Sequence, residues 1–130
     1  MQFVQLEGAA RPSPHVLLVE DEAGIRQPLG RFLRAQGCEV TEAADGTEAV
    51  MALRTREFDA IISDIRMPGG TGLAVWEVVV AERPRLTRRF VFISAFAPPG
   101  EVIAAGARYV VKPFDLAVLW REVEAALGGE

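Results

Sequence analysis

Val16-Leu17-Leu18-Val19 is apolar at every position and runs straight into Glu20-Asp21-Glu22. A half-exposed strand alternates apolar and polar residues, so a run without alternation that stops abruptly at carboxylates reads as a strand buried on both faces. Such a strand needs cover above and below. The chain supplies it next: Ile25, Leu29, Phe32 and Leu33 recur at helical spacing, with Gly37 as a stop signal. Pro28 falls near the start of that helix, where a missing N–H costs least.

The unit then returns. Glu39–Ala43 reads as a strand, Asp45-Gly46 as a turn, and 47–55 as a helix with Ala49, Val50 and Leu53 inward. Ala60-Ile61-Ile62-Ser63-Asp64 is a third strand closing on a carboxylate, followed by a loop over 65–71 with Pro68, Gly69 and Gly70, and by a helix over Gly72–Glu82. After a long loop over 83–89, Phe90–Ser94 is a fourth strand and 109–111 a fifth. Asp115 can cap a last helix that carries Leu116, Leu119, Trp120, Val123 and Leu127 on one face. Five strands alternating with helices imply right-handed crossovers and a parallel sheet in a three-layer α/β/α sandwich, with any site at the carboxyl ends of the strands. His15 is expected just before the first strand. Residues 1–14 read as a flexible lead-in to one domain over 15–128.

Composition narrows the function. The 130 residues match one domain of about 100–200. Half are hydrophobic and a quarter charged, which fits a globular chain. Fourteen Lys and Arg against eighteen Asp and Glu give a net charge of -4. Arg31, Arg34, Arg54, Arg56, Arg83, Arg88 and Arg108 are scattered, which disfavours direct nucleic-acid binding. Cys38 is the only cysteine and His15 the only histidine, so a disulfide framework, a Cys/His metal site and a Ser/His hydrolase triad are all poorly supported. The first residues lack the basic start and apolar core of a signal peptide, and no apolar run approaches ~18 residues. A cytoplasmic setting without membrane contact is the expectation.

Glu20, Asp21 and Asp64 all stand at carboxyl ends of apolar strands, and in a sheet of order 2-1-3-4-5 the first and third strands are neighbours. Three carboxylates brought together repel unless a proton or a hard cation neutralises them, and an all-oxygen donor set suits Mg²⁺. Ser94 and Lys112 close the fourth and fifth strands. Lys112, the only lysine, precedes a proline and is placed to meet a carboxylate or a phosphoryl group.

These segments jointly resemble the receiver domain of two-component response regulators over 16–127. The acidic segment Val16-Leu17-Leu18-Val19-Glu20-Asp21-Glu22, the acceptor segment Asp64-Ile65-Arg66-Met67-Pro68-Gly69, Val91-Phe92-Ile93-Ser94-Ala95, and Tyr109-Val110-Val111-Lys112-Pro113-Phe114 occur in the family's order. The resemblance implies the flavodoxin-like order 2-1-3-4-5 and a phosphorelay role. Asp64 would accept a phosphoryl group from a phosphohistidine on a histidine kinase or phosphotransfer protein. Glu20, Asp21, Asp64 and the Arg66 backbone carbonyl would hold Mg²⁺, while Ser94 and Lys112 bind the phosphoryl oxygens. Ser94 and Tyr109 would act as a switch read by a downstream protein. Arg66 and Phe96 would border the path of the hydrolytic water, with Phe96 covering the phosphoryl group and prolonging its life.

The chain departs from the family in places. Ser94 and Lys112 are 18 positions apart (112 − 94), about one helical turn fewer than usual. Pro98, Pro99 and Gly100 confine the fourth helix to 101–105. Thr71 stands where many relatives carry Asp. The third helix is unusually apolar at Val75, Trp76, Val78, Val79 and Val80, read as a helix packed under the 83–89 loop rather than as an interface. The clipped fourth helix also resembles receivers appended to hybrid histidine kinases. A flavin or nucleotide binder needs a glycine-rich cradle where this chain has Glu20-Asp21-Glu22-Ala23-Gly24. An Mg²⁺-dependent aspartyl phosphatase needs an acid–base carboxylate where this chain has Arg66. A receiver-like module that binds partners without phosphorylation is the remaining alternative, against which the acidic set, Ser94 and Lys112 all argue.

The fourth helix, fifth strand and fifth helix form a pairing face in many relatives, and here the first of these is cut short. Phosphorylation is therefore expected to leave the mass in light scattering unchanged. A phosphorylation-dependent doubling, abolished by substituting Arg121 or Glu122, would contradict this.

Overall fold

The computed structural model describes residues 13–67 and 70–128. Strand β1 (His15–Val19) is buried from Val16 onward and sits between β2 (Glu39–Ala43) and β3 (Ala60–Asp64), both parallel to it. β4 (Phe90–Ser94) and β5 (Arg108–Val111) extend the parallel sheet beyond β3. The order is therefore β2-β1-β3-β4-β5, the flavodoxin-like arrangement. A separate two-residue antiparallel ladder pairs Arg66–Met67 with Gly70–Thr71.

Alternate residues of the central strands serve opposite layers, which is why they read as unbroken apolar runs. Leu17, Val19, Ile61, Phe90 and Phe92 join Ala49 and Leu53 of α2 (Gly46–Thr55) and Val75, Trp76 and Val79 of α3 (Gly72–Glu82). Trp76 stands edge-on to Phe90, with ring centroids 5.3 Å apart. On the other side, Val16, Leu18, Ile62, Val91, Ile93 and Val110 pack with Leu29 and Leu33 of α1 (Ala23–Ala35) and with Leu119, Val123 and Ala126 of α5 (Leu116–Leu127). Between β4 and β5 the crossover helix α4 covers only Gly100–Ala104, the shortening that the prolines foretell. Among the described residues no helix is long and apolar enough to cross a membrane.

Several expectations need correction. His15 does not precede β1 but begins it, paired with Glu39. The Glu39 N–H donates to the Pro14 carbonyl at 2.9 Å, so the ladder reaches back into the expected lead-in, whose residues 1–12 lie outside the described ones. Pro28 is the sixth residue of α1, past the first turn, and removes an intrahelical donor. Asp115 precedes α5 without a side-chain capping bond. Ile25 and Leu116 are exposed, because the helix-to-sheet contact line is narrower than the apolar stripe. Residues 83–89 are not a loop: Pro84–Arg89 form a 3₁₀ helix. Its Leu86 enters the same core as Val79, so α3 packs beside this turn, while Val80 stays exposed.

Leu86 is 1% exposed, so the turn is part of the core. Leu86→Ala is expected to lower the unfolding free energy in urea by about 2–4 kcal/mol. A loss below about 0.5 kcal/mol, usual for surface positions, would show that the turn is not integral.

Candidate functional site

Register alone assembles the edge of the sheet. Val19 pairs with Ser63, Asp64 with Ile93, and Ser94 with Val111, so Glu20, Asp64, Ser94 and Lys112 emerge side by side at the carboxyl ends of β1, β3, β4 and β5. The Lys112 N–H donates to the Ser94 carbonyl at 2.8 Å, tying the last two ends together. The Lys112 side chain crosses back to β3, and its Nζ donates to Asp64 Oδ2 at 2.6 Å. The peptide bond from Lys112 to Pro113 is cis.

Asp64 is buried and held from behind. The Ser63 hydroxyl donates to the Asp64 carbonyl at 2.9 Å, and the Gly72 N–H donates to the Ile65 carbonyl at 2.8 Å. The first residue of α3 lies so near that a Cβ on Gly72 would collide with the Asp64 carbonyl oxygen. A glycine there lets α3 begin against the backbone that follows Asp64.

Glu20 is 2% exposed, the most enclosed carboxylate of the edge. One of its oxygens accepts the Glu22 N–H at 3.2 Å. The other, Oε1, is a buried atom with no hydrogen-bond partner among the described residues. Burial pushes its pKa up to about 7, helped by the facing charge of Asp64 and contact with the Asp21 side chain, against the Glu22 N–H and the Lys112 charge. For Lys112, burial alone would lower the ammonium; its hydrogen bond to Asp64, with the charges of Asp64, Glu20 and Glu22, overcomes that and raises it. The edge thus holds more negative charge than Lys112 neutralises, and a buried oxygen with an unmet lone pair calls for a proton or a cation.

Of the three expected carboxylates, Glu20 feels both the charge of Asp64 and the side chain of Asp21. Among the described residues, no three acidic, histidine or cysteine groups stand close enough to cage a metal ion by themselves. A cation here would need other oxygen donors as well. Ser94 is buried, and its hydroxyl oxygen accepts the Phe96 N–H at 3.0 Å. Phe96 is 61% exposed and Tyr109 37%, so both rings face outward in this state. The Arg66 side chain, assigned to the water path, lies outside what is described, as do residues 68–69. The side chain of Thr71 does too.

Sequence reasoning missed Arg26. Its Nη1 donates to the Glu20 carbonyl at 2.7 Å and reaches the Asp21 carbonyl at 3.5 Å. Its Nε donates to Glu42 Oε1 at 3.3 Å. An arginine on the polar side of an amphipathic helix carries no sign of such a contact.

The model of the family described as "Response regulator receiver domain" matches residues 16–124. The chain is 34% identical over 120 residues to the transcriptional activator protein PfeR of Pseudomonas aeruginosa, covering 89% of this chain but 38% of that protein. It is 33% identical over 114 residues to the chemotaxis protein CheY of the same species, covering 84% and 92% respectively. The receiver domain of the P. aeruginosa sensor histidine kinase PA1611, whose crystal structure has a magnesium ion coordinated in the active-site cleft, superposes with a TM-score of 0.77 at 30% identity, over 89% of this chain and 98% of that one.

The raised Glu20 pKa sets a pH dependence. Folded, the carboxyl keeps its proton up to about pH 7; unfolded, it loses it near its ordinary 4.5. Between these values the folded chain holds a proton that the unfolded chain lacks, so this group's contribution to stability falls as pH rises through the window. Glu20→Gln cannot ionise. In EDTA it is expected to gain about 1–3 kcal/mol over the wild type at pH 8, and much less at pH 5. Urea unfolding at both pH values checks this; an equal difference at the two would contradict it.

Proposed function

Because the chain belongs to the response regulator receiver domain family, we propose that its signalling chemistry is Mg²⁺-dependent acceptance of a phosphoryl group on Asp64. The donor is a phosphohistidine of a histidine kinase or phosphotransfer protein. The observation that carries this reading is the single lysine aimed at a buried Asp64, at 2.6 Å, beside a second carboxyl whose buried oxygen has no partner among the described residues.

In the transfer, a carboxylate oxygen of Asp64 attacks phosphorus, the P–N bond to the donor imidazole breaks, and an acyl phosphate forms. Charge then spreads over the phosphoryl oxygens, and fixed positive groups are what lower the barrier. Lys112, already resting on Asp64 Oδ2 and anchored through its backbone to Ser94, can follow that charge from the carboxylate to the phosphoryl group. The Ser94 hydroxyl, on the adjacent strand end, can donate to another phosphoryl oxygen while its own oxygen keeps the Phe96 N–H.

Magnesium fits the residues present. Glu20 Oε1 is an orphaned buried acceptor, hard oxygen donors suit this ion, and the ion tolerates a site with few protein ligands because it retains waters. Glu20, Asp21, Asp64 and the Arg66 carbonyl would hold it. Bound there, it supplies neutralisation of the carboxylates and of the incoming phosphoryl group. Since Glu20 must be ionised to serve, affinity weakens as pH falls below about 7.

Phosphorylation would switch the face formed by β4, β5 and their neighbours, with Ser94 and Tyr109 as the moving groups and a downstream protein as reader. Tyr109 and Phe96 stand outward now, so each would have to turn inward to act in that state, Phe96 beside Arg66 as a limit on water access. A single domain over 15–128 carries the whole of this chemistry.

Purified protein treated with acetyl phosphate and Mg²⁺ is expected to gain the mass of one phosphoryl group. EDTA should abolish the gain, and so should Asp64→Asn. A phosphoryl adduct that persists in Asp64→Asn would refute the assignment of the acceptor.

A further inference from the structure

Glu20 and Asp21 do not stand on a strand. They follow β1 on a short turn whose ends are tied by the Glu20 N–H on the Ala43 carbonyl at 3.0 Å and by the Glu22 carbonyl accepting from the start of α1. Arg26 adds a hold on the carbonyls between them: its Nη1 donates to the Glu20 carbonyl at 2.7 Å and reaches the Asp21 carbonyl at 3.5 Å. An arginine can grip two neighbouring carbonyls only if its own fork is immobile. Here it is held by Glu42, on β2, which takes Arg26 Nε through one oxygen at 3.3 Å and Arg34 Nη1 through the other at 3.1 Å. Arg34 in turn donates from Nη2 to the Val40 carbonyl at 3.2 Å. The Arg26 and Glu42 side chains are only 15% and 22% exposed, so solvent does little to loosen the pair.

The helix leaves room for this arrangement at Gly30, where a Cβ would come within 2.6 Å of Glu42 Oε2 and 3.1 Å of Arg34 Nη1. A glycine inside a helix costs about 1 kcal/mol relative to alanine. The carboxylate of Glu42 lies in the space it frees.

We propose that Arg26, locked by Glu42, is a positioning residue that fixes the Glu20–Asp21 backbone and thereby sets the protein's affinity for a divalent cation. Arg26 touches neither Asp64 nor a phosphoryl group. Its effect passes through two peptide carbonyls to the side chains they carry. The inference rests on the Mg²⁺-dependent reading above and deepens it, because it separates cation affinity from the chemistry at Asp64.

The test titrates the full chain with Mg²⁺ alone by calorimetry, for wild type, Arg26→Met, Glu42→Gln and the double variant. Loss of a residue that orients metal ligands costs about tenfold or more in affinity, and each single variant is expected to show that. The double variant should be no weaker than Arg26→Met, because Glu42 acts only through Arg26. With acetyl phosphate, the Mg²⁺ concentration for half-maximal phosphorylation should rise by the same factor while the rate at saturating Mg²⁺ stays within about twofold of wild type. A merely structural defect would not divide the two in this way. Gly30→Ala offers an independent variant, displacing the Glu42 carboxylate without removing a charge, and should weaken Mg²⁺ in the same sense. Wild-type affinity in Arg26→Met, or losses in the single variants that multiply in the double, would overturn the positioning role and leave the acceptor role of Asp64 intact. A wild-type chain that neither binds Mg²⁺ nor takes up a phosphoryl group would overturn both.

Discussion

One ammonium faces an edge of carboxylates, and much of the site is arranged around that imbalance. Lys112 reaches across from β5 to Asp64 on β3, leaving Glu20 buried with an unmet oxygen. A protein interior tolerates unpaired charge poorly. The metal-free protein meets the deficit by holding a proton on Glu20 up to about pH 7. A bound cation would relieve the same deficit, so its binding and electrostatic relaxation are one event.

The sheet makes this possible by being buried on both faces. Charged side chains have no place along β1 or β3 and appear only where those strands run out, and parallel pairing brings those ends level. That is why the carboxyl edge was legible in the sequence: an apolar run interrupted by Glu20, and another by Asp64, mark two neighbouring strand ends without any knowledge of contacts. The short α4 was legible for a different reason, since two prolines in succession, Pro98 and Pro99, followed by Gly100, disfavour helix up to that point.

What escaped the sequence depends on contacts between distant positions or on the path of the backbone. His15 extends β1 because Glu39 offers it a partner. The 3₁₀ turn over Pro84–Arg89 is organised by Leu86 entering a core that local composition does not announce. Arg26 and Glu42 are sixteen positions apart and each is ordinary in its own element. The outward rings of Phe96 and Tyr109 are set by the path of the backbone around them, which a sequence motif does not describe.

The collision awaiting any side chain at Gly72 has a mechanical meaning. The start of α3 is seated on the carbonyl of Asp64 and bonded to that of Ile65, so the acceptor's backbone cannot shift without dragging an eleven-residue helix and the core beneath it. On the opposite side, the crossover from β4 to β5 runs through residues 95–107 with a helix of only five residues, although the strands themselves pack on α5. The two sides of the site therefore differ in how much helix they carry between strands. A change of charge at Asp64 would meet a seated backbone behind it and, toward Ser94, a crossover with a short helix.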